Sequence, residues 1–274
     1  MYEKNTQLMP TLLLRGKPIG KIKGVLFDKD GTLSNSEEHL FNLAKSRVEK
    51  ATALLVQQGK NLNVVSKLEQ LLSAAYGLTT EGISPNGTVA IASREQNIIS
   101  TATVLCLIGE TWPKALKLSN KIFQLVDNLD IEKTNSKEQR YLLPGVREIL
   151  QGLKNSNVAC ALISNDSQLG IQNFLSKNNL HNFFITSWTA DHYPSKPDPA
   201  AVEELCKILR LNPAECALIG DADSDLQMAI QSGVGIRLGF TGGWSQKPQI
   251  TQHQYLFHNW NELSIQQNIK LTFK

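Results

Sequence analysis

Ile22-Lys23-Gly24-Val25-Leu26-Phe27-Asp28-Lys29-Asp30-Gly31-Thr32-Leu33 is a short, mostly apolar run that stops abruptly at two closely spaced carboxylates. An apolar stretch of this length reads as a strand buried on both faces, with polar chemistry at its carboxyl end. Two further runs end in the same manner. Val158-Ala159-Cys160-Ala161-Leu162-Ile163 meets Ser164-Asn165-Asp166, and Cys216-Ala217-Leu218-Ile219 meets Gly220-Asp221. Residues 234–238 and 184–186 are shorter strand candidates. Helical spacing lies between them: Val146, Ile149, Leu150 and Leu153 in 144–155, then Val202, Leu205, Cys206 and Leu209 behind the cap pair Asp198-Pro199, then 226–231. Strand alternating with helix predicts an α/β fold with a largely parallel sheet. Ligands of such sheets bind beyond the carboxyl ends of the strands, where these Asp and Ser residues stand.

Residues 35–139 follow another period. Asn35 with Glu38 has the form of a capping box ahead of Leu40, Leu43, Ala44, Val48, Ala51 and Leu55. Helices are expected over 64–76 and 94–107, with a long one capped by Thr111 and carrying Ala115, Leu116, Ile122, Phe123 and Val126. The polar stretch 128–138 reads as the return linker. The predicted organisation is an α/β core from 1–34 and 140–274, interrupted by a helical insertion over 35–139. Within the core, 1–20 is an N-terminal extension expected to pack loosely. Its Leu12-Leu13-Leu14 run is too short for a secretory signal and Glu3 spoils a basic start, so the expected location is cytoplasmic. Trp112 and Trp188 are expected in the core or at a domain contact.

At 274 residues, 41% hydrophobic and 19% charged, the chain has the composition of a folded globular protein. The net charge of +3 is spread along the sequence, without a basic block carrying interleaved aromatics, so nucleic acid is not the expected partner. No apolar window is long enough to cross a bilayer. Cys106, Cys160, Cys206 and Cys216 form no close metal-ligand pair and read as structural thiols. Oligomeric state is not legible at this level.

The carboxylates carry the chemistry. Asp28 and Asp30 can face one pocket if the chain leaves the sheet between them, and Gly31 permits close backbone approach to an anion. One aspartate could attack phosphorus while the other moves a proton; a solvated Asp-Gly turn is the competing account. Asp221, Asp223 and Asp225 crowd another strand end, a costly arrangement unless water or a cation offsets it. Together with Asp28 they could supply the hard oxygen ligands that Mg2+ prefers, or merely cap the next helix, Asp223 above all. Ser164 and the Asn165 N–H suit phosphoryl oxygens. Lys196, stiffened by Pro194, Pro197 and Pro199, could neutralise charge on phosphate and Asp28. Arg94 could reach a second anionic group on a substrate, or stand solvated in a first helical turn.

With these four segments in view, the chain resembles the haloacid dehalogenase-like superfamily. The matching motifs are Asp28-Lys29-Asp30-Gly31-Thr32-Leu33, Ile163-Ser164-Asn165, Lys196-Pro197-Asp198-Pro199 and Gly220-Asp221-Ala222-Asp223-Ser224-Asp225. The resemblance implies a Rossmann-like core and a helical cap, as in phosphoglycolate phosphatases and their relatives. It implies Asp28 as nucleophile, Asp30 as general acid and base, and Ser164 and Lys196 on the transferring group. It also implies Mg2+ held by Asp28, the main-chain carbonyl of Asp30 and Asp221, with Asp225 in support. The candidate substrate-binding set is Thr32, Ser164, Asn165, Lys196 and Arg94. The expected activity is Mg2+-dependent hydrolysis of a small phosphorylated metabolite. A sugar-phosphate mutase and a catalytically inactive phosphate-binding scaffold are the alternatives. Asn35-Ser36 departs from the Asp-Ser often found there, and the added length around 82–94 is where substrate selection could have diverged.

Overall fold

Val25 and Phe27 point to one side of the central strand and Leu26 to the other, so a fully apolar run feeds two separate cores. A computed structural model of the chain describes residues 9–133 and 141–267. It contains two compact units, Met1–Ser34 with Leu142–Gly243 and Ile250–Lys274, and Asn35–Tyr141 with Trp244–Gln249.

The first unit opens with β1 (Thr11–Leu14), β2 (Lys17–Lys21) and β3 (Gly24–Phe27). It continues with α6 (Val146–Asn155), β4 (Ala159–Ile163), α7 (Gln168–Lys177), β5 (Thr186–Trp188), α8 (Pro199–Leu209), β6 (Cys216–Gly220) and α9 (Asp223–Gln231). It ends with β7 (Ile236–Phe240), β8 (Tyr255–Phe257) and β9 (Leu263–Gln266). Among the described residues the main sheet has the order β8-β7-β6-β3-β4-β5, every pair parallel. Strand alternation divides the side chains. Val25, Phe27, Cys160, Leu162, Ala217 and Ile219 join α6 and α7 on one face, while Leu26, Ala161, Ile163, Cys216 and Leu218 join α8 and α9 on the other. This is the parallel α/β core that strand–helix alternation predicts, and it is Rossmann-like, as the resemblance implies.

Several expectations need correction. The described part of the N-terminal extension, 9–20, is not loosely packed: β1 pairs antiparallel with both β9 and β2, while 1–8 fall outside the described residues. Alternation there puts Leu12 and Leu14 inside and leaves Leu13 half-buried, so the leucine run is a strand with one core face. The strands expected over 184–186 and 234–238 lie two residues later, at Thr186–Trp188 and Ile236–Phe240. Trp188 is buried, whereas Trp112 is 47% exposed at the start of a helix.

The second unit holds α1 (Glu37–Gln57), α2 (Leu62–Tyr76), α3 (Thr88–Ile91), α4 (Arg94–Leu107) and α5 (Trp112–Lys133). α1 packs on α2 and α5, and α4 on α5 and α2, around Ala44, Leu55, Leu72, Ala102 and Phe123. The capping box expected at Asn35 is absent. Asn35 is drawn into the short strand Ser34–Asn35 paired with Tyr141–Leu142, and Ser36 takes the N-cap position without capping the helix through its side chain. A capping box does form at Ser93 and Gln96, at the start of α4. α5 continues through 128–133, expected as linker, because nothing between Asp127 and Lys133 is a Gly or Pro; 134–138 fall outside the described residues. The added length near 82–94 forms the Leu78–Thr79/Gly82–Ile83 hairpin and α3. Trp244 enters this unit's core, and Ser245 donates its N–H to the Glu37 carboxylate at 2.8 Å. No helix among the described residues is long and apolar enough to cross a membrane.

Candidate active site

Register places the strand ends together. Phe27 lies beside Ile219 on β6 and Leu162 on β4, so Asp28, Gly220-Asp221 and Ser164 leave the sheet side by side. The last rungs are still made: Asp28 N–H donates to the Ile219 carbonyl, and Ser164 N–H to the Trp188 carbonyl, each at 2.9 Å.

Alternation beyond Phe27 turns Asp28 toward the α8 and α9 side. There the Lys196 ammonium, on the loop before α8, donates to Asp28 Oδ1 at 2.6 Å and lies 2.6 Å from Asp225 Oδ1. Asp225 sits in the first turn of α9, and its Oδ2 accepts the Ala222 N–H at 3.3 Å. A Cβ at Gly220 would stand 2.4 Å from that Oδ2, so a side chain at the end of β6 would expel Asp225. Asp221 is steadied by the Thr32 hydroxyl, which donates to its Oδ1 at 3.2 Å. Thr32 is fully buried, and its carbonyl accepts the Trp260 indole N–H at 3.1 Å. The turn that permits this has Gly31 at φ 73°, a left-handed conformation costly for other residues.

Asp28, Asp221 and Asp225 are all buried, and one ligand oxygen from each lies within 4.8 Å of the others. Burial pushes the Asp28 carboxyl up to about 6, opposed by Lys196 and reinforced by Asp225 and Asp30. Burial alone would lower the Lys196 ammonium, but the Asp225 and Asp28 carboxylates hold it above its ordinary value. Three buried carboxylates thus bring oxygen atoms together around one point. The donor set therefore fits a hard divalent cation bound through oxygen.

The Asp30 side chain stands outside this cluster. Its Oδ1 accepts from Lys29 Nζ at 2.7 Å. Ser164 is nearly fully buried and its Oγ accepts the Asp166 N–H at 3.1 Å, with Asn165 between them. Asp223 turns away from the cluster and anchors the loop at Thr251 and Gln252, accepting their N–H groups at 2.6 and 3.0 Å. Arg94 belongs to the second unit, where its guanidinium pairs with Asp127 over the Phe123 ring. Arg47 in the same unit is buried with its guanidinium 4.0 Å from the Phe123 centroid.

The sequence profile of the haloacid dehalogenase-like hydrolases matches residues 22–233, most of the chain and every residue of the Asp28 cluster. The chain belongs to the haloacid dehalogenase-like hydrolase family. Phosphoglycolate phosphatase of Pseudomonas putida is 33% identical over 112 residues, covering 39% of this chain and 41% of that protein. That of Vibrio vulnificus is 26% identical over 112 residues, covering 40% and 49%. The chain thus spans less than half the length of these curated relatives. Among solved structures, a Haemophilus somnus protein described as a predicted phosphoglycolate phosphatase superposes with a TM-score of 0.59 at 21% identity, over 88% of this chain and 96% of that one. A likeness at that identity speaks for the fold.

In this haloacid dehalogenase-like hydrolase, two site-adjacent residues escaped the sequence reading. Lys29 is completely buried, and besides Asp30 it meets Asp166 Oδ2 at 2.9 Å. The only signal was a lysine at a position whose parity, set by Val25 and Phe27, points into the α7 core. A charge there requires a buried counter-charge.

Proposed function

We propose that the chain is a Mg2+-dependent phosphatase acting on small organic phosphate monoesters. The observation that carries this reading is Asp28, a buried strand-end carboxylate held by Lys196 and flanked by Asp221 and Asp225. In the proposed cycle an Asp28 oxygen bonds to phosphorus as the ester P–O bond breaks. Asp30 gives its proton to the departing oxygen. It then takes one from the water whose oxygen bonds to phosphorus, releasing Asp28 and inorganic phosphate. Lys196 offsets charge on Asp28 and the phosphoryl group, while the Ser164 hydroxyl and the Asn165 N–H orient phosphoryl oxygens. Mg2+ held by Asp28, the Asp30 main-chain carbonyl and Asp221, with Asp225 in support, would supply neutralisation of the clustered negative charge.

In this reading the helical unit acts as the cap that selects substrate. Arg94 would contribute by exchanging Asp127 for an anionic group of the ligand. Phosphoglycolate heads the substrate screen, since it is what the curated relatives are named for. The test is phosphate release with and without Mg2+, together with trapping of label from a labelled ester. Label on Asp28, and no turnover by Asp28→Asn, are the expected results. Label on Ser164, or a folded wild-type protein that releases no phosphate from any ester, would sink the proposal. Conversion of glucose 1-phosphate without phosphate release would point to a mutase.

A further inference from the structure

We infer that Lys29 is a positioning residue that holds the Asp30 carboxylate for proton transfer, with Asp166 as its anchor. The inference rests on the phosphatase reading above.

Lys29 has no exposed surface, yet it carries a charge between two carboxylates, Asp30 Oδ1 at 2.7 Å and Asp166 Oδ2 at 2.9 Å. Removing an ammonium from water is costly, and the two short charge-assisted contacts compensate for it. The Phe174 ring, 5.8 Å from the ammonium, closes the α7 side. Asp166 is itself fixed. Its Oδ1 accepts the Ser167 N–H at 2.8 Å, and its main-chain carbonyl accepts the Ala190 N–H at 2.9 Å. A Cβ at Gly170 would approach its carboxylate to 2.2 Å, so only a residue without a side chain admits it. The linkage runs from the first turn of α7 through Asp166 and Lys29 to Asp30, across the adjacent strand ends of β4 and β3.

A carboxyl that must first protonate a leaving oxygen and then deprotonate water gains from a fixed position, because proton transfer requires hydrogen-bond reach in both steps. Asp30 is partly exposed and lies on a turn. Its contact with Lys29 ties it to rigid secondary structure.

The experiment measures phosphoryl transfer to Asp28 in a single turnover with Mg2+, so that only the step in which the leaving group departs is read. An alkyl phosphate, whose alkoxide must be protonated, is compared with nitrophenyl phosphate, whose leaving group departs unaided. Lys29→Met is expected to slow the alkyl ester by about tenfold or more, to leave the aryl ester within about threefold, and to change KM little. Asp166→Asn, which keeps Lys29 in place, is expected to shift the two esters in the same sense by less. Should Lys29→Met fail to fold, Asp166→Asn decides on the same readout. Equal losses on both esters, or none on either, would overturn the inference and leave the phosphatase reading intact. Absence of hydrolysis of both esters by the wild-type chain would overturn the reading, and the inference with it.

Discussion

Asp28 combines three demands in one side chain: burial, a lysine partner and two neighbouring carboxylates. Its carboxyl is raised from 3.8 to about 6, so the cation-free folded state is favoured by the protonated form and loses that stability as pH rises through about 6. A divalent cation bound by Asp28, as proposed, would compete with that proton. The rise in Tm on adding Mg2+ is therefore expected to be small near pH 5 and to reach a plateau above about pH 7. Thermal melts across that range check it, and a pH-independent increment would contradict it. Thr32 makes a second prediction at this scale. Thr32→Val removes the hydroxyl from Asp221 while keeping the shape of a buried side chain. Mg2+ affinity is expected to fall by about tenfold or more, as for the loss of a group that orients a ligand, with little change in the melt of the cation-free protein. Calorimetric titration reads the first and a thermal scan the second.

At the level of elements, the parallel register of β6, β3 and β4 makes a site out of three chain segments, because their ends are level. Side-chain parity then sorts the polar residues: Asp28 faces Lys196 and Asp225 on the α8 and α9 side, and Lys29 faces Asp166 and Phe174 on the α7 side. The N-terminal strand shows the same alternation. Leu12→Ala, at a fully buried position, is expected to cost about 2–5 kcal/mol, and Leu13→Ala much less. Urea midpoints compare them, and equal effects would mean that β1 is not seated as described. In the helical unit, Arg94 joins α4 to α5 through Asp127, with both side chains about half exposed. Arg94→Ala is expected to cost no more than about 1 kcal/mol of stability. A rise in KM well beyond that small loss would assign Arg94 to substrate.

For the whole molecule, the strand ends of the α/β core, the order of its elements and the polar residues at each end were legible because all of them are local patterns. An apolar run of fixed length, a helical period and an Asp-x-Asp-Gly turn each declare themselves within a few residues. Asp28, Lys196, Asp221 and Asp225 stood out in the sequence for the same reason, each at a strand end or on a proline-stiffened loop. What local pattern does not carry is which remote segments become neighbours. The N-terminal leucines formed a strand because β9, from the other end of the unit, lies alongside them. Trp244 joined the core of the helical unit although the chain just before it, up to Gly243, belongs to the α/β core. Lys29 met Asp166 only once β3 and β4 had paired and α7 had packed beneath them. Periodicity states which face a residue presents; the partner awaiting it is set by sheet order and packing, which depend on the whole chain at once.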